Sequence, residues 1–203
     1  MEIAIIILTG YLLGSLSPAA LLSKIKQLDL RNQGTKNLGA SNTMLVMGKK
    51  LGALVMLFDI FKAFFAAKLA KVLFPQLAIA QLLAGLSAVI GHIFPFYLGF
   101  KGGKGLAAFG GLVLACDPLV FLCLLTLGVI LMLLTNASVA MPLSAGALFP
   151  VLTLIRSQSL AAFALAAAAG ILIIVKQWSN VGKARRGEDI KIRSFVKNGF
   201  KKD

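Results

Sequence analysis

The sequence predicts an all-α integral membrane protein with about seven transmembrane helices, its N-terminus outside and its C-terminus in the cytoplasm. Hydrophobic residues occupy 59% of the 203 positions and charged residues only 14%, whereas a soluble domain averages about 45–50% apolar and about 25% charged residues. Charged residues are absent from 3–23, 72–100 and 157–175, and Asp117 is the only one within 105–155. The basic residues are instead gathered in a few connecting segments.

The charge-free stretches must contain several helices, because a membrane-spanning helix needs about 20 predominantly apolar residues. Proline, glycine and polar residues divide these stretches at positions typical of helix ends. The segment 105–116 is short for a complete crossing, so six spans stay an alternative to seven. Glu2 precedes the first stretch, where a signal peptide would have a basic segment, so we expect a retained helix. The predicted helices are 3–24, 51–72, 78–98, 105–116, 119–134, 138–155 and 158–177.

Lysine and arginine set the predicted orientation, because basic residues concentrate in cytoplasmic segments of membrane proteins. They crowd the loop 24–50 and the segment from 176 onward. With seven spans, both segments fall on the same side as the glycine-rich loop 99–105, whereas six spans would separate them. We therefore expect one transmembrane domain over 1–203 with a basic cytoplasmic tail at 178–203. This topology and anionic lipid headgroups account for the net charge of +14, so no nucleic-acid partner is expected.

The loop after the third predicted helix has the composition of a phosphate-binding loop. Its sequence over 99–105 is GFKGGKG. Glycine lets the backbone approach a ligand closely, and amides that lead into a helix N-terminus can bind an anion to which lysine adds charge. The spacing is not that of a nucleotide-binding P-loop. The alternative is a tight basic turn whose lysines extend to the membrane surface.

Charged residues inside a membrane helix are costly and usually functional, and the second predicted helix contains four of them. Asp59 and Lys62 stand three positions apart, which places them on one helix face, and we predict an ion pair between them. Lys68 and Lys71 lie near the helix end and are predicted to extend outward. His92 is the only histidine, and we predict a buried structural donor at this position.

Four parts of the chain carry a resemblance to a known family. The clearest is GHIFP at 91–95 followed by FKGGKG at 100–105. Asp59 and Lys62 match a charged pair, and the last segment retains Asn180 and Gly187 and has the acidic Asp189. In the first loop the matching residues are Asp29, Leu30, Arg31, Gly34, Asn37, Gly39, Ala40, Asn42, Gly48, Lys49 and Lys50. Over nearly its whole length the chain resembles the bacterial acyl-phosphate:glycerol-3-phosphate acyltransferases, small membrane enzymes with seven helices.

The resemblance implies direct transfer of an acyl group from acyl phosphate to the 1-hydroxyl of glycerol 3-phosphate. The products would be lysophosphatidic acid and inorganic phosphate, with no covalent acyl-enzyme. The expected partners are these small molecules, membrane lipids and other lipid-synthesis enzymes, and the expected location is the bacterial inner membrane. No cofactor is implied, and no spacing of cysteine or histidine predicts a metal site.

The resemblance also implies roles for individual residues. Catalysis is expected of Lys104, Thr35 and Asn180. Binding of the acyl phosphate or of a phosphate group is expected of Lys101, Gly102, Gly103, Lys104, Gly105, Asn37, Ser41, Asn42 and Ser138. Support of the site is expected from His92, Asp59, Lys62, Gln177 and Lys183.

The sequence departs from the family mainly where the acceptor would bind. Leu45 stands at the position of the first motif's arginine, and Gln177 stands at that of the third motif's histidine. Lys183 and Asp189 replace an arginine and a glutamate. Loss of an arginine removes a bidentate contact to phosphate, and hydrogen bonds of this charged kind contribute about 1.5–3 kcal/mol.

Three interpretations follow from these departures. The chain is an active acyltransferase in which Lys36, Lys49 or Lys183 supplies the lost charge, an acyltransferase with another acceptor, or a non-catalytic protein that binds or moves a phosphorylated lipid. A transporter would need polar residues along several helices, and 119–134 and 158–177 nearly lack them.

Overall fold

The computed structural model describes residues 1–188, and every regular element in that range is helical. Asp189 and most of the predicted tail 178–203 lie outside the described residues. The chain divides into two compact units, 1–118 and 119 onward. The first unit contains α1 (Glu2–Ser15), α2 (Pro18–Ile25), α3 (Ala40–Met47), α4 (Lys49–Leu73), α5 (Ala80–Ile93), a 3₁₀ turn (Phe96–Leu98) and α6 (Leu106–Cys116). The rest of the chain contains α7 (Pro118–Thr135), whose first residue ends the first unit, α8 (Ala140–Ser157) and α9 (Leu160–Arg185).

Apolar helices make this chain a multi-pass integral membrane protein. Five stretches within the described residues are long and apolar enough to cross a membrane: Glu2–Ile25, Ala80–Leu98, Pro118–Thr135, Ala140–Ser157 and Leu160–Arg185. Helices occupy the two other predicted positions as well, but α4 carries charges at its centre and α6 has only 11 residues. At 1.5 Å per residue, α6 is roughly 16 Å long, against about 30 Å of bilayer hydrocarbon.

Several boundaries differ from the sequence-based prediction. The predicted helix 78–98 ends at Ile93 and is followed by a 3₁₀ turn at Phe96–Leu98. The predicted helix 3–24 is broken, because Pro18 has no N–H to donate and disfavours helical backbone at Ser17; the Ser17 side chain then caps α2 by accepting from the Ala20 N–H. The predicted loop 34–48 contains α3. The last helix continues to Arg185, because the polar residues that end a hydrophobic stretch do not end a helix.

Small residues allow the helices of the first unit to pack closely, as is common in membranes. Gly10 and Gly14 of α1 lie against α5, where a Cβ at either position would overlap the backbone of Ala84 or Ala88. Gly111 of α6 lies in the same way against the backbone of Ile60 in α4. Helices α1, α4, α5 and α6 therefore form one packed group that supports the loops at their ends.

In the second unit, α8 packs against α9. The contact is formed around Gly146 and Gly170, where a Cβ on Gly170 would overlap the carbonyl oxygen of Gly146. Alanines on the same face of α9, Ala162, Ala166 and Ala169, are buried. This unit therefore uses the same small-residue packing as the first.

Replacing Gly14 by alanine tests the packing of α1 on α5. The added methyl group would overlap the Ala88 backbone, and overpacking of this kind typically costs about 1–3 kcal/mol. We expect a lower midpoint of thermal unfolding in detergent. Gly182→Ala is the control, because its nearest neighbour would be the Arg186 Nη1 atom at 3.4 Å and alanine is the better helix former by roughly 0.5–1 kcal/mol. Equal midpoints for the two variants would contradict this account of the packing.

Candidate active site

A buried polar cluster joins α4 to the end of α5. Asp59 Oδ1 and Lys62 Nζ are 2.7 Å apart, which confirms the predicted ion pair. His92, buried as predicted, completes the cluster: its Nδ1 lies 3.0 Å from Lys62 Nζ and 3.3 Å from Asp59 Oδ1. The three residues are only 2%, 6% and 7% exposed, respectively. Each buried charge therefore has an opposite charge or a polar partner among the apolar side chains of the packed helices.

The same lysine holds the break between α1 and α2. Lys62 Nζ donates to the Leu16 carbonyl oxygen at 2.6 Å. The Tyr97 hydroxyl donates to the Ser15 carbonyl at 2.7 Å and accepts from the Ser17 N–H at 3.1 Å. A helix break leaves backbone groups without intrahelical partners, and these side chains provide them.

The glycine-rich loop lies directly on the end of α5. Gly102 N–H donates to the Ile93 carbonyl at 3.0 Å, and Gly103 N–H donates to the His92 carbonyl at 3.1 Å. A Cβ at Gly102 would overlap the His92 carbonyl oxygen, and a Cβ at Gly103 would overlap the His92 imidazole at Nε2. Only glycine lets the loop approach α5 this closely.

These hydrogen bonds change the expected source of the anion-binding groups. The amides of Gly102 and Gly103 are already engaged by α5, because the close packing turns them toward its last carbonyls. The donors that follow are at the start of α6, whose first-turn amides have no intrahelical partners. A helix N-terminus favours an anion. Gly105 precedes this helix with a φ of +88°, and the half-buried Lys104 stands directly before it.

Asn42 fixes the shape of the first predicted motif. Its side chain is buried, accepts from the Thr35 N–H at 2.6 Å, and donates to the carbonyls of Leu30 and Asn37 at 2.7 and 2.9 Å. Both amide hydrogens of Asn42 are thus used within the protein. The neighbouring Ser41 is exposed. In this arrangement Asn42 holds the loop that carries Thr35.

Contacts between the two loops bring the first and second motifs together. Arg31 Nη2 donates to the carbonyls of Leu98 and Lys101, both at 3.0 Å. The Leu38 carbonyl oxygen borders Gly103, where a Cβ would lie 2.9 Å from it. A pocket of about 340 Å³ opens beside the first loop, and Lys24 and Arg31 are among the residues that line it. Two loops separated by some 60 positions of sequence therefore form one basic surface.

Lys36 takes an unusual backbone conformation on this surface. Its φ is +58° and it is exposed. A left-handed conformation costs a residue other than glycine about 1–2 kcal/mol, and such strain is often retained at functional sites. Leu45 is half-buried on α3.

The remaining predicted residues belong to the second unit. Gln177 is buried on α9, and its Oε1 accepts from Asn180 Nδ2 at 2.7 Å. Lys183 is half-buried near the end of the same helix, and Ser138 is half-buried just before α8. Gln177 thus orients Asn180, one turn further along α9.

The fold and these loops define a class: a helical membrane protein with a candidate anion-binding loop seated on a buried ion-pair cluster. A family described as Glycerol-3-phosphate acyltransferase matches residues 4–187. The chain belongs to this family.

Curated relatives carry the same family name. The chain is 33% identical to a glycerol-3-phosphate acyltransferase of Lactiplantibacillus plantarum, over 93% of this chain and 91% of the relative, and 37% identical to one of Allorhizobium ampelinum, over 90% and 88%. Other alignments are shorter: the match to the enzyme of Macrococcus caseolyticus is 42% identical and spans 60% of this chain but only 62% of the relative's length.

Crystal structures of PlsY, an integral membrane glycerol 3-phosphate acyltransferase, have the same fold. The glycerol 3-phosphate form matches with a TM-score of 0.89 and 29% identity, over 99% of this chain and 100% of that one. The lysophosphatidic acid form matches with a TM-score of 0.83 and 29% identity, over 94% and 95%.

Replacing Gly102 by alanine tests the seating of the loop on α5. The methyl group would overlap the His92 carbonyl oxygen, which belongs to a helix end and cannot rotate away. We expect acyl transfer to fall by about tenfold or more, equivalent to about 1.4 kcal/mol of transition-state stabilisation.

Gly99→Ala is the matched control in the same loop, because no atom lies within 4 Å of its Cβ position. Its φ of +64° brings only the cost of a left-handed alanine, so we expect most of the activity to remain. Similar losses in both variants would show that the contact with α5 is unimportant.

Proposed function

We propose that this chain transfers an acyl group from acyl phosphate to the 1-hydroxyl of glycerol 3-phosphate, forming lysophosphatidic acid and inorganic phosphate. The observation that carries the proposal is the loop 100–105, which seats Lys104 at the start of α6 by hydrogen bonds to α5. Membership of the family supports the reaction. The similarity to PlsY in its glycerol 3-phosphate and lysophosphatidic acid forms supports the acceptor and the product.

The reaction needs positioning and charge stabilisation rather than a covalent intermediate. The 1-hydroxyl oxygen attacks the acyl carbonyl carbon, the bond from that carbon to the phosphate oxygen breaks, and the hydroxyl proton ends on the departing phosphate. The ammonium of Lys104 and the first-turn amides of α6 stabilise the phosphate as its charge increases. Holding both substrates in one orientation lowers the barrier further.

Other predicted residues have roles consistent with their contacts. In the proposal Lys101 adds charge at the loop, and Thr35 and Asn37 contact substrate from a first loop that Asn42 holds in shape. Gly102, Gly103 and Gly105 shape the second loop. In the proposal Asn180, whose side chain donates to Gln177, and Ser138 also bind substrate.

We propose seven membrane crossings, with α4 and α6 added to the five apolar stretches. Helix α4 has 25 residues, or roughly 38 Å, and its central charges are paired. The N-terminus is then outside, and the basic loops and the end of α9 face the cytoplasm of a bacterial inner membrane. Residues 1–203 form one functional domain.

Lys104→Ala tests the proposed charge. We expect purified protein with palmitoyl phosphate and radiolabelled glycerol 3-phosphate to form labelled lysophosphatidic acid, and the Lys104→Ala variant to lose at least about tenfold in rate, because a charge-assisted contact contributes about 1.5–3 kcal/mol. Lys101→Ala is the control, because Lys101 is exposed whereas Lys104 is half-buried, and a smaller loss is expected. A wild-type protein that forms no labelled product would refute the proposed reaction.

Lys36→Gly separates charge from backbone strain. Glycine relieves the left-handed strain at φ +58°, so the variant should unfold at a higher temperature. If Lys36 binds the acceptor phosphate in place of the arginine replaced by Leu45, KM for glycerol 3-phosphate should rise by about tenfold. Gln158→Gly, at φ +51° on the surface of the second unit, relieves the same strain and should leave KM unchanged. An unchanged KM for Lys36→Gly would show that Lys36 does not replace the charge of the arginine whose position Leu45 occupies.

Leu45 and Gln177 favour a second candidate, transfer to a hydroxylated acceptor other than glycerol 3-phosphate, because both depart from the family at its acceptor side. The same assay distinguishes it: acylation of another acceptor, with none of glycerol 3-phosphate, would select this candidate. Binding of acyl phosphate without any acyl product would select the non-catalytic alternative.

A further inference from the structure

We propose that Asp59, Lys62 and His92 are positioning residues that set the place of Lys104 by fixing the glycine-rich loop to both α5 and the α1–α2 break. This inference rests on the proposed function. It assigns a catalytic consequence to a cluster that touches no substrate-binding side chain directly.

Three polar atoms lie within 3.0 Å of the Lys62 ammonium. They are Asp59 Oδ1 at 2.7 Å, the Leu16 carbonyl at 2.6 Å and His92 Nδ1 at 3.0 Å. A lysine ammonium has three N–H groups and no acceptor. These contacts join Asp59 and Lys62 of α4 to the α1–α2 break and to the imidazole of His92.

The orientation of His92 is transmitted to the loop in two ways. The Nδ1 side of the imidazole contacts Lys62 and Asp59, and its Nε2 side packs against Gly103. The backbone carbonyl of the same residue accepts from the Gly103 N–H. A change in the ring or in the end of α5 would thus move Gly103 and, one residue later, Lys104.

Stability alone does not account for the cluster. A buried ion pair is costly to desolvate, and replacing one by apolar side chains of similar volume is often neutral or stabilising, whereas removal of one partner costs about 3–5 kcal/mol. The cluster lies between α4 and α5, where most neighbouring buried residues are alanine, valine and leucine. Apolar residues could fill the same space, but they could not reproduce the directional polar contacts of the cluster.

The double variant Asp59→Leu with Lys62→Met tests this distinction. It removes both charges together and replaces them with apolar side chains that fill the space. We therefore expect a midpoint of thermal unfolding equal to or above that of the wild type. Hydrogen exchange of the peptide 100–106 should become faster, because the end of α5, whose carbonyls accept from the Gly102 and Gly103 amides, is no longer held by the cluster. We expect kcat for acyl transfer to fall by about tenfold, with little change in KM.

The single variant Lys62→Met is the control for folding, because it leaves Asp59 buried without its cation and should lower the unfolding midpoint. His92→Asn provides a milder change, because its amide can still accept from Lys62 while no longer reaching Gly103. We expect it to keep the unfolding midpoint and to show faster exchange of 100–106.

The exchange measurement does not depend on activity, so the two proposals fail separately. A wild type that forms no lysophosphatidic acid refutes the proposed function but leaves the exchange comparison valid. Wild-type exchange of 100–106 in a folded double variant refutes the positioning role. Faster exchange with an unchanged kcat refutes its catalytic consequence.

Discussion

The ammonium of Lys62 is the interaction on which the arrangement of the first unit depends. It joins the carboxylate of Asp59, the imidazole of His92 and the Leu16 carbonyl, and so connects α4, the end of α5 and the break after α1. Each of these groups would be costly to bury without a partner. The loops at this end of the packed helices are placed by that shared requirement, since the glycine-rich loop lies on His92 and its carbonyl.

Close backbone approach provides the second constraint. Alanine and glycine let α1, α5 and α6 pack near their neighbours, and Gly102 and Gly103 extend the same close contact into the loop. The glycines that suggest an anion-binding loop instead hold the loop against α5, because the Gly102 and Gly103 amides donate to its last carbonyls. A loop held in place suits the proposed direct transfer, because without a covalent intermediate the rate depends on how well the substrates and the proposed charge of Lys104 are positioned.

Much of the fold follows from the sequence, because the exclusion of charge from long stretches is imposed by the membrane itself. The Asp59–Lys62 pair follows from its spacing of three. The addition of His92 could not be predicted, since it lies 30 positions away from Lys62 and depends on how α4 packs on α5. Pro18 indicates the break at Ser17, whereas α3 is too short for its apolar residues to show a clear helical periodicity. The direction of the Gly102 and Gly103 amides depends on tertiary contacts that no local pattern contains.

The most direct test of the proposed reaction is the stoichiometry of its phosphorus-containing products. Purified protein in detergent would be given palmitoyl phosphate and glycerol 3-phosphate, and both substrates and products followed by phosphorus NMR. Direct transfer predicts that lysophosphatidic acid and inorganic phosphate increase together in equal amounts. Release of phosphate without lysophosphatidic acid, or no consumption of acyl phosphate, would contradict the assignment of this chain as an acyl-phosphate-dependent acyltransferase.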